Sequence, residues 1–195
     1  MKIDTNIIKQ LREETGLGVM DCKKALDEAG GNIEKAKSLL KHRGLEIVAK
    51  KNGRTANDGV IASYVHTGGK IGVLVEVNCE TDFVARNELF GEFAKNICLQ
   101  VVASNPICVK KEDVPEKMLA EEKPIWEKEL QGKTGIGLQK ALEGKEADFY
   151  RRKVLLNQDF IREPEKTIQD YLNETTARIG EKISIRRFIR WELGS

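Results

Sequence analysis

The sequence predicts an α+β fold in which an antiparallel sheet packs with helices behind a small N-terminal helical module. Two changes of periodicity indicate this fold. Apolar residues recur every three or four positions up to about residue 45, whereas from Val60 they alternate along a hairpin. Helical patterns then return before a last alternating segment, Ile183–Leu193. We therefore predict a three-helix module over residues 1–45, a basic linker over 46–58 and an α+β core over 59–195.

The N-terminal module is predicted to contain three short amphipathic helices. Thr15-Gly16-Leu17-Gly18 and Gly30-Gly31 separate them, since glycine tolerates the left-handed conformation that ends many helices. Asn32 precedes the third helix as a capping residue, and His42-Arg43-Gly44 is predicted to end it. Three such helices bury little surface, so we expect the module to be marginal on its own. The predicted apolar faces are Ile3-Ile7-Ile8-Leu11, Val19-Cys22-Ala25-Leu26-Ala29 and Ile33-Ala36-Leu39-Leu40.

The core is predicted to begin with a β-hairpin. Strands over Val60–His66 and Ile71–Asn78 are joined by a turn at Thr67–Lys70. In the second strand Ile71, Val73, Val75 and Val77 are predicted to share the buried face. Helices are predicted over Asn87–Ala103, Pro115–Leu130 and Glu165–Ile179, whereas the glycine-rich stretch 132–144 gives no clear pattern. In the final strand the predicted common face is Ile183, Ile185, Ile189 and Trp191.

The composition favours a cytoplasmic protein without a metal or cofactor. The net charge of +2 gives no indication of nucleic-acid or membrane binding. The four cysteines are scattered and only two histidines occur, so the clustered ligands of a zinc site are not expected. The segment Met1–Asn6 lacks the apolar run of a signal peptide, and no stretch has the length and apolarity to span a bilayer.

A first family signature covers residues 11–26, from Leu11-Arg12-Glu13-Glu14-Thr15-Gly16 to Ala25-Leu26. It resembles the N-terminal signature of translation elongation factor Ts and departs from it at Leu17, where that family more often has alanine. The resemblance implies a module of ubiquitin-associated type that docks on the G domain of elongation factor Tu. Leu11, Ala25 and Leu26 are expected to form its core. Leu17, Val19 and Met20, at the loop and helix start, are the predicted partner-docking residues.

A second signature is Val75-Glu76-Val77-Asn78-Cys79-Glu80-Thr81-Asp82-Phe83-Val84-Ala85-Arg86-Asn87. From the residues alone, Asp82 would cap a helix and Phe83 would anchor the core. The motif is similar to the second signature of elongation factor Ts, which implies a different role. Thr81, Asp82, Phe83 and Val84 would then insert between elements of elongation factor Tu near its bound magnesium ion.

A third signature lies near the C-terminus. Leu155–Phe160 with Pro164–Ile168, and Phe188–Gly194, resemble the family's stretch before its last helix and its closing strand. Asp159 stands where proline is usual. The resemblance implies a guanine-nucleotide exchange factor that binds GDP-bound and nucleotide-free elongation factor Tu, and not an enzyme. Many members of the family are longer and carry two core halves, so a single half is predicted to form a homodimer, with Cys98 and Cys108 near the interface.

The sequence also permits other interpretations of function. The helical module could act as a ubiquitin-associated-type adaptor for peptides or nascent chains, and the basic stretch Lys50–Arg54 could touch RNA. Cys79 with His66 could form a thiolate–imidazole pair, although no third partner orients them. Gly132-Lys133-Thr134 echoes the end of a phosphate-binding loop, but the first glycine of that motif is missing.

Overall fold

The computed structural model describes residues 4–194, and Ile3 of the first predicted apolar face lies outside them. Within this range the chain has eight α-helices and a small antiparallel sheet, which confirms the α+β class. Three helices precede the first two strands, four follow them, and the last helix precedes the final strand. The helices are α1 (Thr5–Thr15), α2 (Val19–Glu28), α3 (Ile33–Lys51), α4 (Asp82–Ala85), α5 (Glu88–Ser104), α6 (Glu116–Glu129), α7 (Gly135–Lys153) and α8 (Ile168–Ile179).

The strands are β1 (Asp58–Val65), β2 (Ile71–Cys79), β3 (Asp159–Phe160), β4 (Glu163–Thr167) and β5 (Ser184–Glu192). They form a three-stranded sheet in the order β1-β2-β5 and a separate antiparallel pair, β3-β4. The chain divides into two compact units. The first comprises the described residues up to Gly59 together with Asn78–Phe93 and Leu172–Ser184; the second comprises Val60–Val77, Ala94–Tyr171 and the described residues from Ile185.

In the first unit, α1, α2 and α3 pack around the predicted apolar faces. Leu11, Ala25 and Leu26 are fully buried, as predicted. Asp4 caps α1 by accepting a hydrogen bond from the Asn6 amide (3.0 Å), and Asn32 caps α3 through the Lys35 amide (2.9 Å). Side-chain caps therefore mark the starts of α1 and α3, whereas α2 begins after Gly18 without one.

The third helix is longer than the sequence indicates, because it continues past Gly44 to Lys51. Gly44 is buried inside the helix, where a Cβ would lie 3.4 Å from the Cβ of Ala177. Its absent side chain permits a close approach to α8 and does not end the helix. Most of the residues after it, such as Leu45, Glu46 and Ala49, are good helix formers, so the turn comes at Asn52 and Gly53, and residues 46–51 are helical.

In the second unit, the hairpin between β1 and β2 forms where the alternation predicts it. The His66 amide donates to the Ile71 carbonyl (2.8 Å), and the Gly69 amide closes the turn onto the His66 carbonyl (2.9 Å). Val73, Val75 and Val77 are buried, whereas the intervening Leu74 is exposed. Alternation therefore gave the correct register for β2.

In β5 the prediction of a single apolar face is wrong. Ile183 and Ile185 are buried, but Ile189 and Trp191 are exposed. The consecutive residues Arg186 and Arg187 are both exposed and both bond to Glu76 (3.1 and 2.7 Å). Because two successive residues are exposed, the alternation is interrupted there. Residues at odd-numbered positions are buried before the interruption and exposed after it.

Two further segments differ from the prediction. The glycine-rich stretch without a clear pattern is the start of α7, which packs with α6 through an edge-to-face contact between Trp126 and Phe149 (6.0 Å). The predicted helix 165–179 begins only at Ile168, because Pro164 lies in β4 and Thr167 caps the helix by accepting from the Asp170 amide (3.1 Å).

Candidate functional site

The second sequence signature forms a sharp turn between β2 and α5, which we call the Phe83 turn (Thr81–Arg86). Its helix α4 has four residues, and the Phe83 side chain is 80% exposed. Thr81, and not Asp82, is the N-cap, since its hydroxyl oxygen accepts from the Val84 amide (3.4 Å). The interpretation of Phe83 as a core anchor is therefore wrong, and so is the assignment of the cap to Asp82.

Thr81 is held by a residue that the sequence analysis did not identify. Its amide donates to Oε2 of Glu181 (3.1 Å) and its hydroxyl donates to Oε1 of the same carboxylate (2.8 Å). We call these two bonds the Thr81–Glu181 clamp. The Cys79 thiol donates to the Thr81 carbonyl (3.1 Å), so all the polar groups of Thr81 are bonded. Nothing local in the sequence relates Glu181 to Thr81.

Glu80, beside the clamp, forms a second polar cluster in the first unit. Its carboxylate accepts from the Lys182 amide (2.7 Å) and from Arg54 Nη1 (3.0 Å), with Lys51 at 3.6 Å. The Lys182 amide, with the two cationic side chains, holds the pKa of Glu80 below its usual value. Lys182 Nζ in turn donates to the carbonyls of Asn52 (2.8 Å) and Arg54 (2.6 Å).

Asp82 and Val84 complete the predicted partner-facing set of the Phe83 turn. Asp82 forms an ion pair with Arg86 (2.9 Å), one helical turn later, and its side chain remains about half exposed. Val84 is half-buried. The turn thus presents one large apolar side chain beside an accessible carboxylate. The Thr81–Glu181 clamp fixes the backbone at the start of the turn.

The predicted docking residues Leu17, Val19 and Met20 lie at the start of α2. Val19 is 47% and Met20 62% exposed, whereas Leu17 is partly buried and packs on the helical core. The preceding Gly16 has a φ of +67°, and its amide bonds to the Arg12 carbonyl (2.7 Å). A Cβ at Gly16 would lie 2.7 Å from Cζ of Arg178, so the guanidinium occupies the space that a side chain would need.

The other sequence-level candidates have little geometric support. Burial raises the pKa of the Cys79 thiol to about 11, with further contributions from Asp58 and Glu181, which opposes thiolate chemistry. His66 Nδ1 lies 3.4 Å from the Tyr64 hydroxyl.

Cys98, predicted near an interface, is fully buried, and Cys108 is half-buried. Asp159, at the position where proline was expected, pairs with Arg151, whose single Nε–H is shared between the two carboxylate oxygens (3.1 and 3.0 Å) and whose Nη2 also donates to Oδ2.

The described residues 4–194 contain no cluster of three or more histidine, cysteine or acidic side chains arranged to hold a metal ion. Across the same range, none of the helices combines the length and the apolar character that crossing a membrane requires.

The fold and the exposed turn define an α+β protein whose candidate site is an apolar protrusion on a polar support, a form suited to contact with another macromolecule. Residues 23–195 match the profile of the family described as Elongation factor TS. The chain is 52% identical over 194 residues to Elongation factor Ts of Caldanaerobacter subterraneus subsp. tengcongensis, covering 98% of this chain and 97% of that protein. It is 51% identical over 196 residues to the Elongation factor Ts of Coprothermobacter proteolyticus, covering 100% of both.

The chain belongs to the elongation factor Ts family. This membership supports a role in the elongation stage of translation. The second and third signatures lie inside the matched range, whereas the first signature, residues 11–26, mostly precedes it.

Proposed function

We propose that this protein is a guanine-nucleotide exchange factor, and not an enzyme that makes or breaks covalent bonds. It binds elongation factor Tu in its GDP form and promotes release of GDP. The observation that carries this proposal is Phe83, an 80% exposed aromatic side chain on a turn fixed by the Thr81–Glu181 clamp. A large apolar side chain exposed in this way favours contact with a partner.

The proposed mechanism is displacement of the partner's magnesium site. In nucleotide-binding G domains Mg²⁺ bridges the phosphates and a hydroxyl of the phosphate-binding loop, and it requires nearly ideal octahedral geometry. Phe83 would insert between partner elements next to this site, while the accessible carboxylate of Asp82 would compete for nearby polar groups. A small displacement weakens GDP binding without any contact to the nucleotide.

Linkage gives the proposal a thermodynamic consequence. The factor by which this protein weakens GDP binding must equal the factor by which GDP weakens binding of this protein. The complex with nucleotide-free elongation factor Tu is therefore the tighter one, and GTP loading dissociates it. Val19 and Met20, with the partly buried Leu17, would supply affinity through a second contact.

The test is release of a fluorescent GDP analogue from elongation factor Tu, followed by stopped flow as the concentration of this protein increases. The expected result is a release rate that rises and saturates. A release rate that stays at the intrinsic value at every concentration would contradict the proposal. Titrating unstructured peptides into this protein tests the adaptor interpretation. An adaptor should bind such peptides in the absence of elongation factor Tu.

The second unit supports a proposal about assembly. Apolar side chains are exposed on all three strands of its sheet: Ile61, Val65, Leu74, Ile189 and Trp191. We propose that this surface is covered by a second copy of the chain in a two-fold homodimer. Light scattering across a dilution series should give the dimer mass, and Trp191→Glu should give the monomer. A monomer mass for the unaltered protein at micromolar concentration would contradict the dimer.

A further inference from the structure

We propose that Glu181 is a positioning residue for nucleotide exchange, which acts by fixing the Phe83 turn through the Thr81–Glu181 clamp. This inference rests on the proposed exchange function. The geometry that points to it is the pair of bonds from one carboxylate to the amide (3.1 Å) and the hydroxyl (2.8 Å) of the residue that starts α4.

The clamp determines how the Thr81 hydroxyl is used. A hydroxyl has one proton and two lone pairs. Because the proton is donated to Glu181 Oε1, a lone pair remains directed at the Val84 amide, which it meets at 3.4 Å. Glu181 thereby strengthens the N-cap of α4 as well as holding the backbone of Thr81. A carboxylate is suited to this task because both its oxygens only accept.

The Phe83 turn has few other sources of rigidity. A helix of four residues is far below the length at which helices are stable by themselves. Phe83 is the second residue of that helix, and only a fifth of its side chain surface is covered. An apolar side chain that must enter a narrow space loses effectiveness when its backbone can move, since misplacement by about 1 Å has large effects on positioned groups.

Glu181 is itself fixed from both sides. Gly180, with a φ of +79°, ends α8 and bonds through its amide to the Thr176 carbonyl (2.8 Å). On the other side, Lys182 donates its amide to Glu80 and its ammonium to the carbonyls of Asn52 and Arg54. The carboxylate of the clamp therefore comes from a short segment anchored at both ends.

The experiment compares single side-chain changes in the full-length protein. Glu181→Gln keeps the shape but offers one accepting oxygen and one amide group, so it cannot accept from both donors of Thr81. Thr81→Ser retains the hydroxyl, and Thr81→Val removes it without changing the volume. Glu28→Gln is the matched control, because it breaks an exposed charge-assisted bond to Arg43 (2.6 Å) in the same unit.

The expected result is a selective loss of the saturated GDP-release rate from elongation factor Tu. Glu181→Gln should lower that rate about three- to tenfold, the effect of losing one typical hydrogen bond, with the half-saturating concentration unchanged within about twofold. Thr81→Val should lower it similarly, Thr81→Ser should lower it less than Thr81→Val does, and Glu28→Gln should leave it unchanged. In a double-mutant cycle, Glu181→Gln should have a smaller effect once Thr81 is valine.

A readout independent of exchange follows the turn directly. The buried Cys79 thiol donates to the Thr81 carbonyl, so loosening of the turn should accelerate its alkylation several-fold in Thr81→Val, measured by peptide mass spectrometry. Thr81→Val is used here because it keeps the charge of Glu181, which itself raises the pKa of the Cys79 thiol. Cys98, also buried, serves as the internal reference because it lies in the other unit. Unchanged Cys79 labelling together with an unchanged release rate would overturn the inference.

The remaining outcomes separate this inference from the proposed function. If Phe83→Ala lowers the release rate and Glu181→Gln does not, Glu181 has no positioning role and the exchange function stands. If Phe83→Ala has no effect, the proposed mechanism fails, and the role of Glu181 in exchange fails with it. A fall in the Glu181→Gln rate that equals the fraction unfolded in a melting experiment would reduce Glu181 to a residue of general stability and overturn the inference.

Discussion

The two proposed contact sites of the first unit, the Phe83 turn and the docking residues Leu17, Val19 and Met20, are both exposed and apolar, but they are built differently. The docking residues follow a local helix–loop–helix pattern in which Gly16 ends α1. The Phe83 turn depends on Glu181, whose bonds to Thr81 span a sequence separation of 100. Yet both sites contact the same stretch of chain, since the Arg178 guanidinium lies beside Gly16 and Glu181 bonds Thr81. A local site tolerates changes elsewhere, whereas a clamped site fails when its remote support is removed.

The largest effect should come from the Phe83 turn itself. Phe83→Ala should lower the saturated GDP-release rate about 30-fold or more, corresponding to about 2 kcal/mol for an aromatic anchor. Ile136→Ala is the control, because Ile136 is also exposed (75%) at a helix start but lies in the second unit. Stopped-flow release and thermal melting of both variants are the measurements. Equal rates for the two variants would remove the distinction between the Phe83 turn and any exposed apolar residue.

At the docking residues we expect a smaller effect, on the half-saturating concentration and not on the saturated release rate. Val19→Ala with Met20→Ala removes two exposed side chains without opening the helical core. The half-saturating concentration should rise about tenfold, corresponding to roughly 1.4 kcal/mol of lost contact, while the saturated release rate stays within about twofold. A titration of release rate against concentration separates the two quantities. A reduced rate at saturation would show that the docking residues also act on the nucleotide site.

The third prediction tests whether Arg178 matters to the docking loop. Gly16→Ala should lower the free energy of unfolding by roughly 1–2 kcal/mol, because alanine is strained at positive φ and its Cβ would overlap the guanidinium. Gly30 has a similar φ (+61°) with nothing within 4 Å of its would-be Cβ, so Gly30→Ala reports the backbone strain alone. The difference between the two variants in urea unfolding measures the contact, and Arg178→Ala should abolish it.

The same contrast explains what the sequence could predict. Helix faces, glycine stops and the hairpin register are local, so the residues that create them lie within a few positions of one another. Other features depend on tertiary contacts and leave no periodic pattern in the sequence: the bonds of Glu181, the position of Arg178 and the interrupted alternation at Arg186. The helix end predicted at Gly44 is wrong because the glycine is needed for the close approach of Ala177, which belongs to another helix. Phe83 was assigned correctly to a surface only through family resemblance, since an isolated aromatic after a strand is more often buried.

The smallest expected effect concerns the second support of the Phe83 turn, Glu80. The pKa of this carboxyl is lowered first by the Lys182 amide and then by Arg54 and Lys51. A carboxyl with a lowered pKa in the folded protein stabilises it above its unfolded pKa of about 4.3, and this contribution is lost as the pH falls through the folded value. The difference in unfolding free energy between the unaltered protein and Glu80→Gln should therefore be largest near neutral pH and shrink in acid.

The size of this difference should be about 1 kcal/mol at neutral pH, because Arg54 is half exposed and its ion pair is screened by solvent. Urea titrations of both proteins at a series of pH values isolate Glu80, since every other carboxyl titrates in both. The Glu80 carboxylate accepts from the Lys182 amide and from Arg54, whereas Glu181 bonds Thr81 directly, so Glu80→Gln should slow saturated GDP release less than Glu181→Gln does. A difference that grows toward acid pH would mean that burial, which raises the pKa, outweighs the three donors. Glu80 would then be a strained group beside the Phe83 turn instead of a support for it.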